Sequence, residues 1–265
     1  MVWDWKRHNT AKAKIKGQVE LGKTVATKIT FNPEDANQVC TTGQNHWKIW
    51  RIQEGSLRSE PSFQEQTGNI YTDHCWLSKD KVAGCTSEGQ IMIYEKVPDN
   101  SSKAISDKVS MKFIQKQVIG NAFMSEDIYN ISCIKTYSKG FFIASDSGIM
   151  ALWVKSEENN QSSSQDDQSY DFIRRWSPVV TKGTKVISMD VNRTEDQLVA
   201  ECQNNNIALI EKKSFGLNVD NTKEVKVDLV CKGFHSGPIT CMDIAVQRPI
   251  LVTCSQDDST IRLWN

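Results

Sequence analysis

The sequence is short of several things. No apolar run approaches the roughly 18 residues that span a bilayer, and the N-terminus carries no apolar stretch of signal-peptide length. A soluble intracellular chain with no membrane partner is the expectation. Neither sign of charge is in excess: 32 Lys and Arg stand against 32 Asp and Glu. No overall field therefore recruits a polyanion, and nucleic acid is not expected as a partner. The eight cysteines (Cys40, Cys75, Cys85, Cys133, Cys202, Cys231, Cys241 and Cys254) include no C-x-x-C pair, which removes the short-spaced ligand set of a structural zinc. Most sit in apolar runs such as "VAGC", "ISCI" and "LVTC" and read as small buried hydrophobes of a reducing compartment. There is no Gly-rich phosphate loop. The four histidines, His8, His46, His74 and His235, are scattered. The acid pairs Glu157-Glu158 and Asp166-Asp167 fall in polar spacer sequence. No cofactor, no metal and no enzymatic activity are expected.

No segment sustains a helical stripe either. The chain offers short runs of β-branched and aromatic residues separated by turn residues: "ATKITF", "HWKIWRI", "QIMIYEK", "FFIASDSG", "VISMDV", "ILVTCS", "TIRLWN". That pattern predicts an all-β protein. The runs also recur in sets, each with two strands joined by a tight turn and a bulky residue closing the later one. Trp50, Tyr94, Trp153, Ile210 and Trp264 occupy that closing position, spaced 44 to 59 residues apart. The turns between the strands are Gln44-Asn45, Glu88-Gly89, Ser147-Gly148 and Asn204-Asn205, residue types that accept a reversal of the chain. A more polar fourth strand follows each set, as in "SLRSEPSF", "MKFIQKQVI", "YDFIRRW" and "VKVDLVC". The spacers "PDNSSKAISDK" and "SEENNQSSSQDDQS" have too little apolar content to order themselves and are expected to be mobile.

Four-stranded units with an aromatic closing the third strand predict the blades of a WD-repeat β-propeller. Four full blades are expected at about 25–63, 70–118, 131–176 and 186–231, with partial blades at 1–20 and 238–265. In this reading "MVWDW" is the third strand of a preceding blade, and the whole is an incomplete propeller. The remainder of the ring is expected from further sequence or from another chain, because open strand edges invite pairing. The last unit, "HSGPIT…LVTCSQDDSTIRLWN", carries a structural tetrad of His235, Thr253, Asp257 and Trp264. In it the indole N–H of Trp264 donates to the Thr253 hydroxyl, that hydroxyl meets His235, and the Asp257 carboxylate accepts from the imidazole. Asp258 is an extra residue in this turn. The other blades are expected to rely on apolar packing. Near the start, Lys6, Arg7, Lys12, Lys14 and Lys16 form a basic outer-strand surface, either a solvated propeller edge or a contact for an acidic partner such as a tubulin tail. Trp5 and Trp176 are candidates either for interface anchors or for packing between blades.

Taken in series, "FNPEDANQVCTTG", "HCWLSKDKVAGCTSEGQIMIYE", "YSKGF" and "HSGPIT…RPILVTCSQDDSTIRLWN" resemble the N-terminal WD-repeat region of the cilia- and flagella-associated protein 57 family. The resemblance covers nearly the whole chain. It implies a non-enzymatic scaffold of the ciliary axoneme, bound to the doublet microtubule and helping to place inner dynein arm components and regulatory complexes. It also implies two tandem propellers and a coiled coil in full-length members, whereas this chain has no heptad segment. The alternative reading is a general intracellular WD-repeat adaptor, such as a substrate receptor of a ubiquitin ligase. Those receptors often carry W-D-x-R after the third strand, and "WDWK" puts Lys6 at the place of the arginine.

Overall fold

The computed structural model describes residues 2–4, 14–18, 21, 24–53, 55–60, 69–99, 111–156, 169–176, 183–211, 225, 227–231, 235, 237–245 and 247–264. Of the polar spacers, Pro98–Lys108 and Ser156–Ser169, all but Pro98, Asp99, Ser156 and Ser169 lie outside that set. All regular elements among the described residues are strands, as the alternating pattern requires. In chain order the strands are β1 (Val2–Asp4), β2 (Lys14–Gln18), β3 (Val25–Phe31), β4 (Gln38–Gln44), β5 (His46–Gln53) and β6 (Gly55–Ser59). They continue with β7 (Tyr71–Ser78), β8 (Lys81–Thr86), β9 (Ile91–Pro98), β10 (Met111–Ile119), β11 (Ile131–Tyr137), β12 (Gly140–Ser145), β13 (Met150–Lys155) and β14 (Tyr170–Trp176). The last are β15 (Val186–Val191), β16 (Gln197–Cys202), β17 (Ile207–Glu211), β18 (Val227–Cys231), β19 (Cys241–Ile244), β20 (Leu251–Ser255) and β21 (Thr260–Trp264).

The strands form five antiparallel meanders. Sheet 1 is built on β3–β6, sheet 2 on β7–β10, sheet 3 on β11–β14, sheet 4 on β15–β18, and a last sheet on β19–β21. The chain divides into two compact units. One holds sheets 1 to 3 up to Arg175, and the other runs from Trp176 to Asn265 together with Asp146–Ile149. In the first unit the opening residues depart from expectation. β1 and β2 pair with each other, and β2 then lies parallel to β6 through Gly17 opposite Gly55 and Gln18 opposite Ser56. They therefore extend sheet 1 at its outer edge and are not the tail of a separate preceding sheet. Two short strands without inner partners of their own satisfy their backbone groups on the nearest open edge.

The turns between second and third strands explain why the meander closes tightly. Each holds one residue in the left-handed region: Asn45 (φ 51°), Gly89 (φ 76°), Gly148 (φ 83°), Asn205 (φ 61°) and Ser259 (φ 51°). Gly and Asn enter that region at the least cost. A second device recurs on the innermost strand. The pairing skips one residue at Thr27, Thr72 and Ser132, and each skipped hydroxyl donates back to a carbonyl of the second strand: Thr27 to Thr42 at 3.3 Å, Thr72 to Cys85 at 3.3 Å and Ser132 to Ala144 at 3.1 Å. Thr240 does the same to Cys254 at 3.2 Å. In sheet 4 the skipped residue is Ile187, which has no hydroxyl and stands exposed.

Side chains alternate across each sheet, so every sheet has two sides. In sheet 1 the register puts Val39, Thr41 and Trp50 on one side and Cys40, Thr42, Trp47 and Ile49 on the other. In sheet 2 it puts His74, Trp76, Val82, Met92 and Tyr94 together. The side carrying the closing residue (Trp50, Tyr94) is called here the relay side, and the opposite one the plain side. One apolar cluster joins Cys40, Trp47 and Ile49 to Trp76, Val82, Met92, Tyr94 and Phe113. The relay side of sheet 2 thus seats on the plain side of sheet 1. In the second unit the buried apolar residues among those described are Trp176, Val186, Met189, Leu198, Ala200, Cys202, Ala208 and Ile210.

Candidate functional site

The last sheet assembles its polar relay from three elements. Thr253 lies in the middle of β20, Trp264 closes β21, and His235 precedes β19. Trp264 Nε1–H donates to Thr253 Oγ1 at 2.7 Å. Thr253 Oγ1 lies 2.8 Å from His235 Nε2. His235 Nδ1 lies 3.0 Å from Asp258 Oδ2. With Nδ1–H donating to the carboxylate, Nε2 is left to accept from the Thr253 hydroxyl.

The acid at the end of the relay is therefore Asp258, a correction to the expected Asp257. The extra turn residue causes the shift. Ser259 takes the positive φ, and the Asp258 carboxylate folds back to accept from the Thr260 N–H at 3.1 Å and the Thr260 hydroxyl at 2.7 Å. That holds it toward His235. Asp257 points elsewhere, against Gly237, where a Cβ would come within 2.4 Å of its own Cβ. Replacing Asp258 by Ala should then cost about 1–3 kcal/mol, because His235 Nδ1–H loses its charged acceptor and keeps only the Thr260 hydroxyl, 3.0 Å away. Asp257→Ala should change stability by less than about 0.5 kcal/mol. Equal losses in thermal melts would return the acid to Asp257.

Sheet 1 carries a relay that sequence reading missed. Trp50 Nε1–H donates to Thr41 Oγ1 at 2.7 Å, and His46 Nε2 lies 2.7 Å from the same oxygen. The expectation that the other sheets close on apolar packing holds for Ile210, which has no polar atom to satisfy. Elsewhere Tyr94 donates its hydroxyl to Gln115 Oε1 at 3.1 Å, and Trp153 donates its indole N–H to the Ala122 carbonyl at 2.9 Å. The available signal was a Thr on the second strand facing the closing Trp, as Thr253 faces Trp264.

Two further groups join neighbouring sheets. His74 on β7 is buried, with Nε2 at 2.7 Å from Thr30 Oγ1 and Nδ1 at 2.8 Å from Thr42 Oγ1. Trp76 Nε1–H also donates to Thr30 Oγ1, at 3.1 Å. Burial, with Lys28 nearby, lowers the His74 pKa to about 3, so the ring is neutral. Beside it, Asp73 is 3% exposed. Its carboxylate takes Lys28 Nζ at 3.3 Å, its neighbour's N–H (His74) at 2.8 Å and the Ile134 N–H at 3.2 Å. Burial raises its pKa, and Lys28 and the two N–H donors oppose that rise. Lys28, Asp73 and Ile134 sit on β3, β7 and β11, the inner strands of sheets 1, 2 and 3.

The expected basic surface is only partly within view. Lys6, Arg7 and Lys12 lie outside the described residues, and so does Trp5. Lys14 and Lys16 are on β2, whose side chains are likewise outside them. Trp176 is buried, which makes it a packing residue and not an exposed anchor. Cys40, Cys75, Cys85, Cys133 and Cys202 are buried, and burial pushes the Cys75 thiol well up. Cys241 is exposed and Cys254 half-buried. Among the described residues no group of three or more His, Cys, Asp or Glu is placed to hold a metal ion.

Meandering four-stranded sheets, with sheet 2 seated by its relay side on the plain side of sheet 1 and a Trp–Thr–His–Asp relay in the last sheet, define a β-propeller fold of the WD-repeat type. The fold is shared with the β-propeller domain of Myceliophteria thermophila Cps50 (Swd1), at TM-score 0.53 and 12% identity over 92% of this chain and 71% of that one. The chain's curated homologues carry the name cilia- and flagella-associated protein 57. The mouse protein is 24% identical over 90% of this chain and 21% of its own length. The Tetrahymena thermophila protein 57 C is 22% identical over 100% of this chain and 23% of its own length. This chain therefore spans about a fifth of the length of these relatives. No family model matches it.

Proposed function

We propose that this chain is a non-enzymatic scaffold of the ciliary axoneme, a WD-repeat platform on the doublet microtubule that helps to place inner dynein arms and their regulatory complexes. The observation that carries the reading is similarity along 90% or more of the chain to proteins named for cilia and flagella. The geometry is in keeping with it. His74 and Asp73 hold one sheet to the next, and the relays of Trp50 and Trp264 each close a single sheet; a rigid sheet array suits a platform.

The reading is tested by expressing the tagged chain in ciliated cells and extracting them with detergent. The expected result is a tag retained in the detergent-resistant axoneme. A tag spread through soluble cytosol overturns the reading. The basic segment is the proposed contact with an acidic axonemal partner. Reversing charge at Lys12, Lys14 and Lys16 together should weaken retention at low ionic strength and matter less as salt rises. Retention unchanged at low salt removes that surface from the proposal.

A further inference from the structure

Sheet 2 has a neighbour on each side. Sheet 1 meets it through the apolar cluster of Trp47 and Tyr94, and sheet 3 through the Ile134 N–H on Asp73. The turn that joins its second and third strands, residues 86–90, is flanked by two connecting segments. On one side the Ser87 N–H donates to the Ile70 carbonyl at 3.0 Å. On the other lies the loop of residues 120–130, which leads from β10 to β11. A Cβ added at Gly89 would stand 2.7 Å from the Tyr129 carbonyl oxygen and 3.5 Å from Ile128 Cγ2, so Ile128 rests against the turn.

The loop is anchored at several points. The Ala122 N–H donates to the Gly89 carbonyl at 3.0 Å, the Ala122 carbonyl accepts the Trp153 indole N–H at 2.9 Å, and Arg175 Nη1 donates to the Met124 carbonyl at 3.1 Å. Phe123 takes the inward position, 1% exposed and edge-on to Tyr129 with centroids 5.8 Å apart. Its neighbour Met124 is held in the left-handed region (φ 47°) and stands 53% exposed. A residue with a Cβ enters that region at a cost, and the backbone bears it here with Met124 turned outward. Ile128 is 75% exposed and Ile70 47%. Three large apolar side chains thus stand in water on the segments that flank one anchored turn. Apolar surface held in this way marks an association face.

Acid predominates beside them. Glu88 on the turn and Glu126 and Asp127 on the loop are exposed, and among the described residues none of the three is in an ion pair. The nearby cation, Arg175, is engaged by the Phe123 and Met124 carbonyls. Carboxylates next to exposed apolar groups attract a partner that is both cationic and apolar, and repel an acidic one. We propose that this turn and loop dock a short basic segment of a partner protein. Its bulky apolar side chain lies on Met124 and Ile128, and its Lys or Arg side chains face Glu88, Glu126 and Asp127. The proposal goes beyond the ciliary reading and does not depend on it.

The test selects a phage-displayed library of random peptides on the full chain. The enriched sequences are expected to carry Lys or Arg on both sides of a Leu, Ile, Phe or Trp. The most enriched sequence is then made as a fluorescein-labelled peptide, and its Kd is read by fluorescence anisotropy. Two double variants of the full chain are compared with the wild type, Met124→Asn with Ile128→Ser and Glu88→Lys with Glu126→Lys. All four positions are exposed and Asn tolerates the left-handed backbone at position 124, so both variants should keep the wild-type circular dichroism. Each should raise the Kd at least about tenfold, and the loss in the charge-reversed variant should shrink as salt rises. A library that yields no enriched sequence overturns the proposal. So do enriched sequences that are acidic or uncharged, and so does a Kd unchanged in either variant.

Discussion

Replacing Trp47 by alanine should lower the unfolding free energy of the first unit by about 3–5 kcal/mol, the range for deleting a fully buried tryptophan. Trp47 is 1% exposed. Its ring meets Tyr94 edge-on with centroids 5.0 Å apart and Tyr71 at 5.2 Å. It also lies flat on Gly84, where an added Cβ would stand 2.5 Å from Trp47 Cη2. The indole fills the space that the missing side chain at position 84 leaves open. Gly84→Ala should therefore destabilise by about 1–3 kcal/mol through overpacking. Combined with Trp47→Ala it should cost less than the sum, because the methyl enters the vacated space. Urea denaturation followed by far-ultraviolet circular dichroism reads all three variants. A loss below about 1 kcal/mol for Trp47→Ala would mean that the seam between sheets 1 and 2 is held by something else.

The second large effect is on pH dependence. The His74 pKa is lowered from 6.5 to about 3 in the folded protein. Above pH 6.5 the ring is neutral in both folded and unfolded chains, and its contribution to stability is fully present. As pH falls below 6.5 the unfolded chain takes up a proton that the folded chain refuses. Stability then falls by about 1.4 kcal/mol per pH unit until the folded pKa is reached. Asp73 acts in the opposite sense. Its raised pKa means that its contribution is full below the unfolded value and is lost as pH rises through the folded one, so it softens the acid limb of the curve. Between pH 6.5 and 5 the expected loss from His74 is about 2 kcal/mol. A His74→Asn variant should lose markedly less over the same interval. Nuclear magnetic resonance gives a direct check. Imidazole signals of His74 that titrate near pH 6.5 would contradict a ring held neutral between Thr30 and Thr42.

How far these residues were readable in advance depended on the range of the contact. Asn45, Gly89, Gly148 and Asn205 were legible because a tight turn is decided by neighbours in sequence. The closing residues Trp50, Tyr94, Trp153 and Trp264 were legible because they recur. His235, Thr253 and Trp264 could be placed by their order along a repeating unit. Asp258 could not be told from Asp257 by residue type, because the choice rests on which turn residue takes the positive φ. His74 read as one of four scattered histidines, and Asp73 carried no signal of its own. Their partners Thr30, Thr42, Lys28 and Ile134 sit on neighbouring sheets, and no local periodicity reports which sides of two sheets will meet. Trp47 was masked by Trp50. Both are aromatic residues on one strand, and only their parity sends one to each side.

The carboxylate of Asp73 has a mechanical consequence. It holds Lys28 on one inner strand and the Ile134 N–H on another while its own strand lies between them. Sliding any one of these three strands along its neighbours stretches those links together with the His74 seam. The bonds are loaded in parallel and must yield at once. Peeling a sheet away from its outer edge instead breaks ladder bonds one at a time. The first unit should accordingly resist tangential shear far better than it resists peeling from the rim.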